Sequence, residues 1–343
     1  MSFRPLQRRM ESSVTGEGTS PKRKSRRTRK LIVALLITME VLILSYVGIS
    51  FFIATQMAYA QPKAITVTPA DIGLNYRDVS FPSRTDHLVL RGWLMPGVLP
   101  NGQLTTERTI IMVHGLHSNR EALEAGFLDL SASLVHHGFA ILVFDMRGHG
   151  QSAPAPLSMG YFEQRDILGA VDFLRTGQLP YPELGHPRAI GGLGISMGGA
   201  TMLLAAAREP AIRGVVTDSA YAAFVPLLEK NSAMPGLFIP SVSYAMRLLY
   251  GINFDAVRPV SVVASIAPRP ILFIHGTADT LVPSWNMNLL AAAASAVSDA
   301  HVQTWLVPGA NHIQSYHKMG IRYINRVVAF FTSALGPATH VTG

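Results

Sequence analysis

Ser196 lies in Gly194-Ile195-Ser196-Met197-Gly198, with a glycine two positions away on each side. That spacing suits a serine on a turn too tight for neighbouring side chains, and such a serine is a candidate nucleophile. A hydroxyl attacks poorly until a base takes its proton, and the base needs a third group to hold its tautomer. Two downstream residues suit those roles: Asp279 in His275-Gly276-Thr277-Ala278-Asp279, and His312 in Pro308-Gly309-Ala310-Asn311-His312. A serine, an acid and a histidine in this order carry out acyl transfer through a covalent acyl-enzyme. Taken alone, Gly-x-Ser-x-Gly is also the pattern of a purely structural glycine turn. Asp218 remains open as an alternative acid. Asp255 and Asp299 do not follow a strand, and His301, His317 and His340 fall at a strand start, in a helix and in the terminal tail.

The elements expected around these residues put them at the carboxyl ends of strands, where sites of α/β sheets form. Ala189–Ile195 reads as a buried strand running into Ser196, and Met197–Arg208 as the helix leaving it. Asp218 ends the strand Gly214–Thr217, Asp279 follows Ile271–Ile274, and His312 follows Val302–Val307. Strands are also expected at Tyr76–Phe81, His87–Trp93, Thr109–Val113 and Phe139–Phe144, and helices at Ala122–His137, Gly160–Leu174, Trp285–Val297 and Tyr316–Ala334. Short apolar strands alternating with amphipathic helices predict an α/β fold with a mostly parallel sheet covered on both faces. The N–H of Met197, in the first turn of its helix, is one expected oxyanion donor. The second is the N–H of Leu116, after His114-Gly115, and His114 is placed to orient that loop. No carboxylate near His114 and His117 completes a metal site. Residues 222–257 break the rhythm with aromatics, methionines and prolines.

The chain has 343 residues and a net charge of +8, but the charge is localised. Residues 1–60 hold ten Lys/Arg against three Asp/Glu, and the remainder is nearly balanced. The large domain therefore lacks the basic footprint of a nucleic-acid binder. With no cysteine, disulfides, thiolate catalysis and Cys-ligated zinc are excluded. Residues 1–30, ending in a basic run from Lys22 to Lys30, read as a disordered cytoplasmic tail. Leu31–Thr55 holds one charge, Glu40, and at about 37 Å as a helix is long enough to cross a bilayer. Basic residues before the span predict that the rest of the chain faces the extracytoplasmic side. Ala58-Tyr59-Ala60 resembles a signal-peptidase site, but secretory apolar regions are shorter than this one, which favours an uncleaved anchor. A linker over 56–75 and a tail over 335–343 flank a domain at 76–334.

From about Tyr76 to Ala334 the chain resembles the α/β-hydrolase superfamily. The resemblance is strongest to its serine aminopeptidase-like and monoacylglycerol-lipase-like branch, which includes membrane-anchored members. It is carried by His114-Gly115-Leu116, by Asp145-Met146-Arg147-Gly148-His149-Gly150-Gln151-Ser152, by the Ser196 turn, by His275–Asp279 and by Asn311-His312. The resemblance implies Ser196 as nucleophile, His312 as base, Asp279 as its orienting acid, Leu116 and Met197 as oxyanion donors, and no cofactor or metal. It makes Asp145–Ser152 a structural loop and residues 222–257 a lid. The lid's apolar side chains, Phe224, Leu227, Leu228, Met234, Leu237, Phe238, Ile239, Tyr244, Met246 and Leu249, suit an acyl pocket or lipid contact. An aminopeptidase needs a carboxylate for the substrate ammonium, and the lid offers only Glu229 and Asp255. The expected activity is thus hydrolysis of small-molecule or lipid-like acyl esters. Peptidase or amidase activity and a silent, tethered binding module are the alternatives.

Overall fold

The computed structural model describes Met1, residues 26–231 and residues 233–337. The expected tail therefore lies largely outside the described residues, as do His340 and most of the C-terminal segment. Residues 26–30, assigned to the tail from sequence, are already helical, in α1 (Arg26–Met57). The chain divides into two compact units, Met1–Gly48 and Ile49–Gly343. In the first, Leu35, Leu42 and Leu44 are among many exposed apolar side chains. The second begins with the last turns of α1, where Ala54 and Ala58 are fully buried in its core.

The second unit is built on eight strands: β1 (Arg77–Pro82), β2 (Val89–Met95), β3 (Arg108–Val113), β4 (Ala140–Phe144), β5 (Ala189–Ile195), β6 (Ile212–Asp218), β7 (Ile271–Gly276) and β8 (Val302–Val307). Their order is β1-β2-β4-β3-β5-β6-β7-β8; β2 runs antiparallel to both neighbours and every other pair is parallel. Strands β3, β4, β5 and β7 are buried along their whole length. This explains their continuous apolar runs, since helices cover both faces. Ile111 and Val113 of β3 point into one core with α3 (Gln164–Thr176), α4 (Met197–Ala206) and α7 (Trp285–Ala294). Ile110 and Met112 point into the other, with α2 (Phe127–His136) and α9 (Ile321–Leu335).

Registers bring the strand ends that matter side by side. Ile195 pairs with Asp218, Asp218 with Ile274, and Gly276 with Val307. The loops after β5, β6, β7 and β8 thus share one edge of the sheet.

Several sequence-based boundaries shift for local reasons. The helix expected over Ala122–His137 begins at Phe127, because Ala122 and Gly126 have φ of 33° and 69°. The helix expected from Gly160 begins at Gln164, after the Glu163 carboxylate has taken the N–H groups of Ser158 and Gly160. Tyr316–Ala334 is two helices, α8 (Ser315–Met319) and α9, separated by Gly320 at φ 50°. Residues 222–257 form an insertion between β6 and β7 that contains α5 (Phe224–Asn231) and α6 (Ile239–Tyr250). The end of α1 meets this insertion: Ser50 Oγ donates to Ser241 Oγ at 2.8 Å, and Tyr59 packs edge-on against Tyr250.

Candidate active site

The turn from β5 into α4 holds Ser196 at φ 50° and ψ −122°, a conformation costly for any residue with a side chain. The flanking glycines make it sterically possible. A Cβ on Gly194 would lie 2.4 Å from the Gly198 carbonyl oxygen, and one on Gly198 would lie 2.3 Å from that of His114. Both obstacles are backbone, so neither can yield.

Ser196, His312 and Asp279 form one hydrogen-bonded chain. His312 Nε2 is 2.9 Å from Ser196 Oγ, and His312 Nδ1 is 2.8 Å from Asp279 Oδ2. A carboxylate can only accept, so Nδ1 carries the proton and Nε2 is left to accept from the serine hydroxyl. The Asp279 side chain is fully buried. Burial alone would raise its pKa, but hydrogen bonds from His275, His312 and the Val282 N–H outweigh that and hold it well below the ordinary carboxylate range. Its Oδ1 accepts from Val282 N–H at 2.8 Å and from Leu281 N–H at 3.1 Å. His275 Nε2, 2.6 Å from the Val282 carbonyl, also lies 3.4 Å from Asp279 Oδ2. Its place in the His275–Asp279 motif was visible in the sequence; its contact with the acid was not.

The loop after β3 runs beside the serine. A Cβ on Gly115 would stand 3.3 Å from Ser196 Cβ, and Leu116 and Met197 both line the cavity over the hydroxyl. His114 fixes the loop's orientation. Its Nε2 accepts from Met146 N–H at 3.0 Å, so Nδ1 is the protonated nitrogen and donates to the Gly115 carbonyl at 2.7 Å. In a trans peptide the next N–H points opposite to that carbonyl, so the bond turns the Leu116 N–H away from His114. Burial lowers the His114 pKa to about 4 and keeps the ring neutral.

Asp218 is not bonded to His312. Buried and raised to about 6 by that burial, it accepts from the hydroxyls of Ser219 and Ser315. The Asp145 carboxylate, likewise within the interior, accepts from Arg120 and from the backbone of Gln151, holding its loop together.

The cavity over Ser196 measures about 280 Å³ and is mainly apolar, walled by Leu116, Phe224, Leu227, Leu228, Leu281 and Val282. Of the ten apolar insertion residues singled out from sequence, only Phe224, Leu227 and Leu228 reach it. Ile239 and Met246 are buried in the core, and Tyr244 and Leu249 face outward. Neither Glu229 nor Asp255 lines the cavity, but Glu124 does. The Glu124 carboxylate accepts from Ser118 Oγ and from Lys63 Nζ, the latter at 2.9 Å. A larger hollow of about 470 Å³, against Arg84 and Asp172, contains none of the predicted site residues, and its arginine is committed to Asp172 and Glu209. Among the described residues, no three His, Asp or Glu are grouped to hold a metal ion.

Sheet order, a strained serine between β5 and α4, and acid and histidine loops after β7 and β8 define a class: the chain has the α/β-hydrolase fold. The sequence pattern of the serine aminopeptidase S33 family matches residues 105–249. The uncharacterized protein YfhR of Salmonella typhi is 25% identical over 321 residues, covering 90% of this chain and 97% of that protein. The Pyrococcus furiosus esterase Pf2001 superposes with a TM-score of 0.65 at 24% identity, over 81% of this chain and all of that one. An acylaminoacyl peptidase of Pyrococcus horikoshii superposes with a TM-score of 0.59 at 17% identity, over 81% of this chain and 46% of that one.

Proposed function

We propose that the protein is a membrane-anchored serine hydrolase that cleaves carboxylic esters with an apolar acyl group. The observation that carries the reading is the unbroken chain of hydrogen bonds from Ser196 through His312 to Asp279. His312 Nε2 takes the Ser196 proton as Oγ attacks the ester carbonyl, and the buried Asp279 carboxylate stabilises the resulting imidazolium. The N–H groups of Leu116 and Met197 receive the oxyanion. His312 then protonates the departing alkoxide, and water, deprotonated by the same nitrogen, releases the acid from Ser196. The three groups act without a cofactor.

An apolar cavity favours an uncharged acyl chain over a peptide N-terminus. The one specific feature that speaks for a peptidase is Glu124 in the cavity wall, a carboxylate suited to a substrate ammonium. Lys63 already neutralises it, which keeps the ester reading ahead. A silent binding module has no use for a base, an acid and a strained serine in register.

The apolar run within α1 serves as the anchor, with the hydrolase domain extracytoplasmic. Retention of the helix is supported by Ala54 and Ala58, buried in the domain core, and by the Leu157 N–H bonded to the Ala58 carbonyl at 2.7 Å. A cut after Ala60 would strip these contacts from the domain.

The test is covalent labelling of the purified chain by a fluorophosphonate, with hydrolysis of a p-nitrophenyl acyl ester measured in parallel. Wild type labels and turns over, while Ser196→Ala does neither and keeps its thermal midpoint. Turnover near wild type in Ser196→Ala would remove the serine from the mechanism.

A further inference from the structure

Asp218 ends β6 and Ser219 follows it, and this dipeptide touches all three segments that carry the proposed triad. The Asp218 carbonyl accepts the Ser196 N–H at 2.9 Å. The Ser219 N–H donates to the Ile274 carbonyl at 3.0 Å, on the strand that leads to Asp279. The Ser219 hydroxyl accepts the N–H of Ile313, next to His312, at 3.1 Å, and itself donates to Asp218 Oδ1 at 3.1 Å. The same carboxylate oxygen accepts from Ser315 Oγ at 3.0 Å, two residues beyond Ile313. Asp218 and Ser219 are 2% and 0% exposed, so water has little access to compete for these bonds.

Backbone strain gives the arrangement its significance. Ser196, Ser219 and Ile313 have φ of 50°, 58° and 53°, a region that residues with side chains occupy only when their surroundings hold them there. Ile313 is β-branched, for which positive φ is especially unfavourable. Left to itself the segment 311–315 would relax, and His312 would move with it. The Ser219 hydroxyl joins the backbone beside the base to the strand end whose carbonyl holds the nucleophile's N–H.

We propose that Ser219, seated on Asp218, is a positioning residue that sets the reach of His312 Nε2 to Ser196 Oγ. The proposal rests on the hydrolase reading above and assigns Asp218 a role other than that of triad acid. Ser219 touches neither substrate nor a reacting atom; it acts through the Ile313 N–H.

Two substitutions separate the hydroxyl from the backbone. Ser219→Gly removes the hydroxyl and tolerates positive φ, whereas Ser219→Ala removes it and retains the strain. A misplacement of the base on the ångström scale costs about 10- to 100-fold in the chemical step. Both variants should therefore lose about that factor in kcat and in fluorophosphonate labelling rate. KM should stay within about twofold, because the cavity walls that bind the acyl group are untouched. Ala should also lower the thermal midpoint more than Gly. The measurement uses the full chain in detergent, with rates normalised to active sites titrated at labelling endpoint, so a fraction of unfolded protein does not imitate a loss of kcat. Should the Gly variant fail to fold, Ser315→Ala removes the neighbouring tie to Asp218, and a smaller fall in kcat at unchanged KM is expected. Wild-type kcat and labelling rate in a folded Ser219→Gly protein would overturn the inference while Ser196-dependent labelling left the hydrolase reading standing. Absence of Ser196-dependent labelling in wild type would overturn both.

Discussion

A buried carboxylate beside a histidine can orient the ring or tie down a loop, and Asp279 and Asp218 divide along that line. Asp279 Oδ2 is bonded to His312, while Asp218 is spent on Ser219 and Ser315. Asp279→Asn should lower ester turnover by about 10³- to 10⁴-fold, because an amide facing Nδ1 favours the wrong tautomer. Asp218→Asn keeps an acceptor oxygen for both serines, and its loss should be far smaller in the same assay. If Asp218→Asn were the more damaging, the acid role would pass to Asp218. The neighbouring histidines make a separate prediction about stability. Burial lowers His114 and His149 to about 4 from 6.5 and so holds both neutral. Between pH 6.5 and 4 the unfolded chain binds more protons at these rings; their contribution is complete above 6.5 and drains away as pH falls toward 4. Asp218, raised to about 6 from 3.8, works in the opposite sense: its contribution is present below 3.8 and lost as pH rises through 6. The histidine effect is therefore read as a difference. The thermal midpoint of His149→Leu should depend less steeply on pH than that of wild type between 6.5 and 4, and parallel curves would refute it.

At the scale of elements, the site depends on how closely β5, α4 and the loop after β3 approach one another. Gly198 is the contact point: a Cβ there would press within 2.3 and 2.4 Å of the His114 and Val113 carbonyl oxygens. Gly198→Ala should cost about 1–3 kcal/mol or more, since neither backbone can give way without moving the Leu116 N–H. Denaturant titration would show the lost stability, and fluorophosphonate labelling should fall even in the folded fraction. A variant with wild-type stability and labelling would mean that the turn has room for a methyl group at this position. The insertion follows a different logic. Its α5 presents Phe224, Leu227 and Leu228 to the cavity, whereas α6 receives the end of α1 at Ser241. One apolar segment thus lines the cavity over Ser196 and receives the end of α1.

For the whole molecule, the prediction concerns topology. Ten basic residues precede the apolar run, and only Lys63 and Arg77 occur in the first twenty-two positions after it. Since Lys/Arg within about 15–20 residues of a span are retained in the cytoplasm, the hydrolase domain should face outward. Protease added to intact cells or spheroplasts should reach it, and carbonate washing should leave it in the membrane pellet. Protection from protease would reverse the orientation; a soluble product beginning at Gln61 would show cleavage at Ala58-Tyr59-Ala60.

Local pattern determined a good deal by itself. Sequence pattern placed all eight strands of the sheet to within one or two residues, most plainly β3, β4, β5 and β7, whose burial on both faces leaves a continuous apolar signature. The glycine spacing around Ser196, and loops that must follow β7 and β8, singled out the three residues that the structure joins by hydrogen bonds. Breaks at Gly126 and Gly320 were missed because helical periodicity continues across them, while the backbone turns through positive φ. Contacts between distant loops left no pattern at all. Glu124 reaches the cavity and Ser219 the Ile313 N–H only because the fold brings their loops together. Periodicity reports which side of an element is buried; it carries no information about which buried polar group will find which partner. That choice falls to the sheet order, which set Asp218 beside the Ser196 backbone and left the imidazole to Asp279.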